Sequence, residues 1–314
     1  MRKRLVRNAL ALGLSAVAGV AVALPAQAAT TAPGVQPNPP AWGLDRVDQR
    51  KGVDQSYHYE TSADQVTAYV IDSGIDARHP EFEGRVEAGV NLADGNNDTT
   101  DINGHGTHIA GIIGSKTYGI AKDVQLVPVR VLDKDGGGTP ESIIAGIQWV
   151  TQNARQPAVA FLGIGGIPND KLDAAIRALA AVVPVAVPAG GESADASDFS
   201  PARVAEALTV GASDILDRAA LTSNYGSVVD LYAPGVEIPS PAPDGPGAGV
   251  LSGTSIAAAH VTGAAALYRA LHPDATAPEV AKALVDNATK DALTGVPDGT
   301  ANRLLYTLSV KATS

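Results

Sequence analysis

From 255 to 267 the side chains are nearly all Ala, Val, Ile, Gly or Leu. A helix apolar all round belongs in a core, not on a surface. The turn Ser252-Gly253-Thr254 leads into it, so Ser255 stands at the mouth of a buried helix. Upstream, the pattern alternates between short apolar runs and amphipathic stretches. Runs at 66–71, 124–131, 158–164, 185–189, 208–211 and 228–232 predict buried strands. Pro128 is awkward inside the second of these, because proline cannot donate to a ladder. Helical spacing is read at 109–113, at 140–153 (Ile143, Ile144, Ile147, Val150), at 172–182 and at 278–287. Alternating strands and helices predict an α/β fold: a largely parallel central sheet with helices on both faces. No internal repeat and no second domain are visible.

Two segments fall outside that pattern. Arg2, Lys3, Arg4 and Arg7 precede an apolar run at 9–24, and Ala26-Gln27-Ala28 follows it. This is the layout of a signal peptide cleaved after Ala28, so residues 1–28 are predicted to be removed and the protein secreted. A short spanning helix is the competing reading, and the cleavage site disfavours it. Residues 29–40 are rich in Thr, Ala and Pro and predict a short flexible leader, and 41–310 form the folded domain. Residues 41–59, with Trp42, should pack on its body.

Composition narrows the function classes. Losing the four basic n-region residues takes the formal net charge from −10 to −14. An acidic exported chain is a poor partner for nucleic acid or an anionic membrane. The chain has no cysteine, which excludes disulfides and thiolate catalysis. No cofactor is expected for the chemistry.

Three polar residues sit where such a fold places ligands, at strand ends and helix starts. Asp72 follows an apolar strand in Asp72-Ser73-Gly74, and alone it reads as a turn aspartate. His105 opens a helix in Gly104-His105-Gly106-Thr107-His108, and reads equally as a helix-start residue or as half of a metal pair with His108. No further metal ligand follows at a recognisable spacing. Ser255 alone reads as a helix cap.

Taken together, in the order Asp, His, Ser, these contexts resemble the subtilisin-like serine proteases, and within them the proteinase K-like branch. The resemblance runs from Trp42-Gly43-Leu44-Asp45-Arg46 to Asn302-Arg303-Leu304-Leu305-Tyr306. It implies the three-layer subtilisin-like fold and a serine endopeptidase. Ser255 would be the nucleophile, His105 the base and Asp72 the residue that orients His105. It also implies that Gly136, Gly137 and Gly138, with Gly163, Ile164, Gly165 and Gly166, flank an extended substrate. Gly136 reads as readily as a loop glycine. It further implies a structural calcium ion at Asp230 and the carbonyls of Ala205 and Ala207, although Asp230 reads equally as a surface aspartate.

The sequence departs from the family in places. Family members close an Ala-Ala-Gly-Asn segment with the Asn that donates to the oxyanion. Here Pro188-Ala189-Gly190-Gly191 stands there, and Gly191 has no side chain to donate. Ser193 or a water is the nearest substitute. Gly163 replaces the usual Ser and Phe161 the usual Asn. The stretch between Ala28 and Trp42 leaves room for a short leader rather than the family's large propeptide. The expectation is a secreted peptidase with a weakened oxyanion hole. The competing reading is a catalytically impaired relative, a pseudoprotease that binds peptide.

Overall fold

The computed structural model describes residues 33–243 and 245–308. The signal peptide read at 1–28, the first part of the leader and residues 309–310 lie outside them. Thirteen strands and six α-helices are formed among the described residues. In chain order the strands are β1 (Gly34–Pro37), β2 (Ser56–Tyr59), β3 (Thr67–Asp72), β4 (Val90–Asn91), β5 (Gln125–Arg130), β6 (Ala158–Leu162) and β7 (Val185–Pro188). They continue with β8 (Leu208–Ser213), β9 (Leu231–Pro234), β10 (Ile238–Pro241), β11 (Ala248–Leu251), β12 (Thr289–Lys290) and β13 (Arg303–Leu304). The helices are α1 (Trp42–Val47), α2 (His105–Gly114), α3 (Pro140–Asn153), α4 (Asp170–Ala180), α5 (Thr254–Leu271) and α6 (Ala277–Asn287).

Nine strands form one sheet in the order β12-β13-β9-β8-β7-β6-β3-β5-β4, all parallel except the β12–β13 pair. The sheet separates two cores, which is why its strands are apolar on both faces. Along β3, Ala68 and Val70 join the core shared with α2 and α5, while Tyr69 and Ile71 join the core under α3 and α4. Helix α5 is buried along nearly its whole length against β6, β7, β8 and β9. Its Ala and Gly residues allow that close approach. The strand order reverses at β3, whose neighbours are β5 on one side and β6 on the other. In open parallel sheets the ligand crevice opens at the carboxyl end of such a reversal. Asp72 is the last residue of β3 and is fully buried.

Pro128 is accommodated by its direction. Gln125 and Val131 donate their N–H groups toward β3, to Val66 O and Asp72 O, and Leu126 donates the other way, to Arg85 O. By that alternation the Pro128 nitrogen faces outward, where β4 pairs only with Val129 and Arg130. The ladder with β3 loses nothing.

Three expectations are corrected. Residues 34–37, read as flexible leader, form β1, antiparallel to β2 from Gly34↔Tyr59 to Pro37↔Ser56. Composition could not reveal that partner, which lies some twenty residues ahead. The strand read at 228–232 runs Leu231–Pro234, because Val229 N closes a turn onto Gly226 O. The Pro- and Gly-rich 238–251 stretch, where no strand was expected, forms the β10–β11 hairpin that leads into α5. The expectation for 41–59 holds. Trp42 Nε1 donates to Val236 O at 3.1 Å, and buried Arg46 pairs with Asp217 through Nε and Nη2 at 2.7 and 3.1 Å.

Candidate active site

Each of the three residues is delivered by a different element to the carboxyl edge of the sheet. Asp72 ends β3, His105 opens α2, and Ser255 is the second residue of α5. His105 Nδ1 lies 2.9 Å from both Asp72 Oδ1 and Oδ2, and His105 Nε2 lies 3.0 Å from Ser255 Oγ. A carboxylate has no proton to give, so Nδ1 must carry the hydrogen toward Asp72. Nε2 is then the acceptor, and the Ser255 hydroxyl donates to it. Helix α5 is capped by Gly253, not by Ser255, so the simple capping role does not hold for this serine.

Burial alone would lower the His105 pKa. The Asp72 charge and hydrogen bond outweigh it, Asp101 adds a smaller push, and the pKa is raised above its ordinary 6.5. His108 belongs elsewhere. It is buried, its Nε2 lies 3.1 Å from Ile238 O, and its pKa is lowered to about 4, by burial first and then by the His105 charge. The metal-pair reading of His105 and His108 therefore fails. Among the described residues no group of three or more His, Cys, Asp or Glu side chains is placed to hold a metal ion.

Sequence reasoning missed the residue that aligns α2 with β3. Asp101 is buried and accepts five hydrogen bonds. Oδ1 receives Ser73 Oγ, Asn103 N and Gly104 N at 2.9, 3.0 and 2.8 Å. Oδ2 receives Thr107 N and Thr107 Oγ1 at 2.7 and 2.6 Å. Ser73 Oγ in turn accepts from Gly106 N at 2.9 Å. One carboxylate thus ties the residue after Asp72 to the helix turn that carries His105. The available signal was an aspartate shortly before a helix start, a capping pattern.

A pocket of about 230 Å³ opens beside Ser255. Gly163, Gly165, Gly166, Gly190 and Gly191 all line it. Ile164 does not, and instead packs against the core under α3 and α4. Gly137 and Gly138 line a different, open groove near Leu92 and Thr139, and Gly136 occupies the turn closed by Gly136 N to Asp133 O at 3.1 Å. Gly136 therefore behaves as the loop glycine of the alternative reading.

Where the family's second oxyanion donor stands, the structure has less to offer than an amide. Gly191 N donates to Glu192 Oε2 at 2.7 Å. Ser193 is turned away, its Oγ donating to Leu221 O at 2.8 Å, so it is no substitute. Thr254 Oγ1 lies 3.2 Å from Gly190 N and 3.3 Å from Gly190 O. The Ser255 N–H is among the first N–H groups of α5, which have no acceptor within the helix, and it lies at the positive end of the helix dipole. A position on Gly191 equivalent to Cβ meets nothing within 4 Å.

At the amino ends of β8 and β9, Asp230 Oδ2 accepts from Thr209 N at 2.8 Å, and Asp230 lines a cavity of about 480 Å³ together with Ala205 and Ala207. Burial raises its pKa to about 6, against the Thr209 hydrogen bond and the Arg303 charge. A desolvated carboxylate beside a chain segment that can offer backbone carbonyls is a donor set that fits calcium.

An aspartate, a histidine and a serine in hydrogen-bonded series stand at the reversal of a parallel sheet, and comparison with known proteins gives the family. The sequence profile described as the Subtilase family matches residues 64–304. The chain is 47% identical over 273 residues to an extracellular serine proteinase of Thermus sp. (strain Rt41A), covering 86% of this chain and 67% of the relative. It is 44% identical over 270 residues to alkaline serine exoprotease A of Vibrio alginolyticus, covering 85% and 50%, and 43% identical over 272 residues to a cuticle-degrading protease of Metarhizium anisopliae, covering 84% and 69%. The fold matches the crystal structure of a cold adapted subtilisin-like serine proteinase with a TM-score of 0.84 and 43% identity, over 85% of this chain and 98% of that one.

The chain belongs to the subtilase family, and its class is that of the serine-type endopeptidases. It spans between half and about two thirds of the length of these curated relatives.

Proposed function

We propose that this protein is exported and hydrolyses peptide bonds of extended polypeptide through Asp72, His105 and Ser255. The observation that carries this is the unbroken series from Asp72 to His105 Nδ1 at 2.9 Å and from His105 Nε2 to Ser255 Oγ at 3.0 Å. Ser255 Oγ attacks the carbonyl carbon while Nε2 takes its proton. The same nitrogen returns the proton to the leaving amine, and Asp72 holds the tautomer and offsets the imidazolium charge. Water then repeats the sequence to release the acyl group. The Ser255 N–H is the oxyanion donor, and the hole is weakened by the missing amide at Gly191. Glycine at 165 leaves backbone free to pair with an extended chain, whereas the Gly166 N–H and C=O are already bonded to Ser200 at 2.9 and 3.0 Å.

Residues 1–28 act as the signal peptide of this reading and 41–310 as the peptidase domain, which works as a monomer. Among the described residues no helix is long and apolar enough to cross a membrane. A calcium ion held by Asp230 and the carbonyls of Ala205 and Ala207 supplies stability and takes no part in the reaction.

A fluorophosphonate probe tests the assignment. Mass spectrometry should find the adduct on Ser255 alone, and the Ser255→Ala protein should take no label. Label retained by that variant would remove Ser255 from the mechanism.

A further inference from the structure

We propose that Lys122 is a covalent modification site, where a small uncharged aldehyde enters the cavity beside β1 and is held as a reversible imine. None of the residues lining this cavity lines the pocket beside Ser255, and the inference does not depend on the peptidase reading.

The cavity has a volume of about 450 Å³. Val35 and Pro37 of β1, with Tyr59 of β2, give it an apolar side. Lys122 lines it as well, yet the residue is only 9% exposed. The chain around Lys122 is fixed. Ala121 N donates to Ile113 O at 2.9 Å, and Asp123 N donates to Ser62 O at 2.8 Å. Gln36 Nε2 donates to Thr117 O at 3.0 Å and so ties β1 to the segment that leads to Lys122.

These surroundings suit an amine better than an ammonium. An ammonium carries three donors and no acceptor. Among the described residues Lys122 Nζ has one hydrogen bond, to Gly119 O at 2.9 Å, and no carboxylate pairs with it. The Tyr57 ring, 5.3 Å away, offers a second and weaker contact. A neutral nitrogen can donate to Gly119 O and keep its lone pair for attack. The charges nearby are mixed. Glu81 and Asp123 favour the ammonium and Arg85 opposes it, while Lys116 is paired with Glu83 at 2.7 Å. Tyr57 and Tyr59 are neutral, since burial raises the pKa of both. Burial of Lys122 outweighs the acids and lowers its pKa to about 7. At pH 7 about half of Lys122 is then free amine, against fewer than about one in 10³ for an ordinary lysine near 10.4.

The chemistry needs no other reactant. Nζ attacks the carbonyl carbon and the C–N bond forms. One nitrogen proton passes through solvent to the carbonyl oxygen, giving a carbinolamine. Loss of water then leaves the C=N bond, so both amine protons and the carbonyl oxygen depart as water. The ligand is uncharged because Glu83 and Asp123 line the cavity and oppose an anion, and Lys116 is already paired.

The test treats the full chain briefly with benzaldehyde at pH 7, traps imines with cyanoborohydride and maps the benzylated lysines by mass spectrometry. The advantage in free amine is reduced by the narrow entry, so Lys122 should carry about tenfold more label than any exposed lysine. The terminal α-amine, with an ordinary pKa of about 7.7–8.0, is the one competitor and maps to a different peptide. Labelling of Lys122 should rise with a midpoint near 7, where the other lysines are still protonated. Lys122→Arg keeps the charge and should remove this label and no other. Glyoxylate, an anionic aldehyde, should label Lys122 less than benzaldehyde does. An even spread of label, a lead for Lys122 that survives unfolding in urea, or equal labelling by glyoxylate overturns the inference.

Discussion

The Asp72 carboxylate occupies the space that a side chain at Gly163 would fill: a Cβ on Gly163 would lie 2.0 Å from Asp72 Oδ2. The same Cβ would meet the Phe161 ring at 2.8 Å. The family's usual Ser and Asn are here Gly163 and Phe161. Phe161 is fully buried, so its ring has nowhere to retreat, and the carboxylate is the group that must move. Gly163→Ala should therefore displace Asp72 from His105 and lower kcat by about 10²-fold, as expected when a catalytic group is misplaced by an ångström. Peptide-amide kinetics with near-ultraviolet circular dichroism checks this. Full activity in a folded variant would mean that the strand end yields instead.

Activity should fall in acid with a midpoint above about 6.5, the ordinary histidine value. The base must be neutral to accept the Ser255 proton, and Asp72 raises the pKa of His105 against the effect of burial. As pH drops through the raised value, the imidazolium forms and the acceptor is lost. Asp72→Asn should move the midpoint down and cost roughly 10⁴ in kcat by the behaviour of such triads. A kcat/KM profile flat from pH 5 to 8, with the fold intact, would exclude His105 as the base.

Gly191→Asn should raise kcat with little change in KM. The added amide acts on charge present mainly in the transition state. Space is available, since a Cβ at 191 meets nothing within 4 Å and Gly191 is not among the glycines with positive φ. The loss of such a donor in a subtilisin, a relative of this protein, is about 10²–10³ in kcat, which sets the upper limit. The gain should be larger in the Glu192→Gln background, where no carboxylate sits beside the developing oxyanion. An unchanged kcat in both backgrounds would mean that Thr254 or water already serves the hole.

Calcium should raise the melting temperature, and by more at neutral than at acid pH. Burial raises the Asp230 pKa to about 6, so the folded protein binds this proton more tightly than the unfolded chain does. The stability contributed by that proton is present below the unfolded value and is lost as pH rises through about 6. A bound cation favours the charged carboxylate and offsets the loss, so the gap between calcium and chelator should widen from pH 5 to pH 7. Calorimetry of wild type and Asp230→Asn reads it. A gap that is absent, or that persists in Asp230→Asn, would return Asp230 to an ordinary surface role.

The sequence by itself determined the layered α/β fold and singled out Asp72, His105 and Ser255 as the candidate site. Apolar runs of strand length separated by helical spacing leave few ways to bury both faces of β3. Asp72, His105 and Ser255 are each marked by the element boundary they occupy. Their neighbours Gly163, Gly165, Gly166, Gly190 and Gly191 were legible as glycine-rich contexts that need backbone exposed. Tertiary structure alone decided what those residues face. Asp101 became the anchor of α2 only when Ser73 and Thr107 converged on it across a strand–helix gap. Ile164 turned to the core because alternation along the strand end outranks membership of a glycine motif. The leader acquired β1 from a partner strand that composition cannot announce. Glu192 reads in sequence as one more surface acid. Its carboxylate gains a fixed direction only from Asn224, thirty-two positions away and fully buried, because long-range hydrogen bonds carry no local pattern.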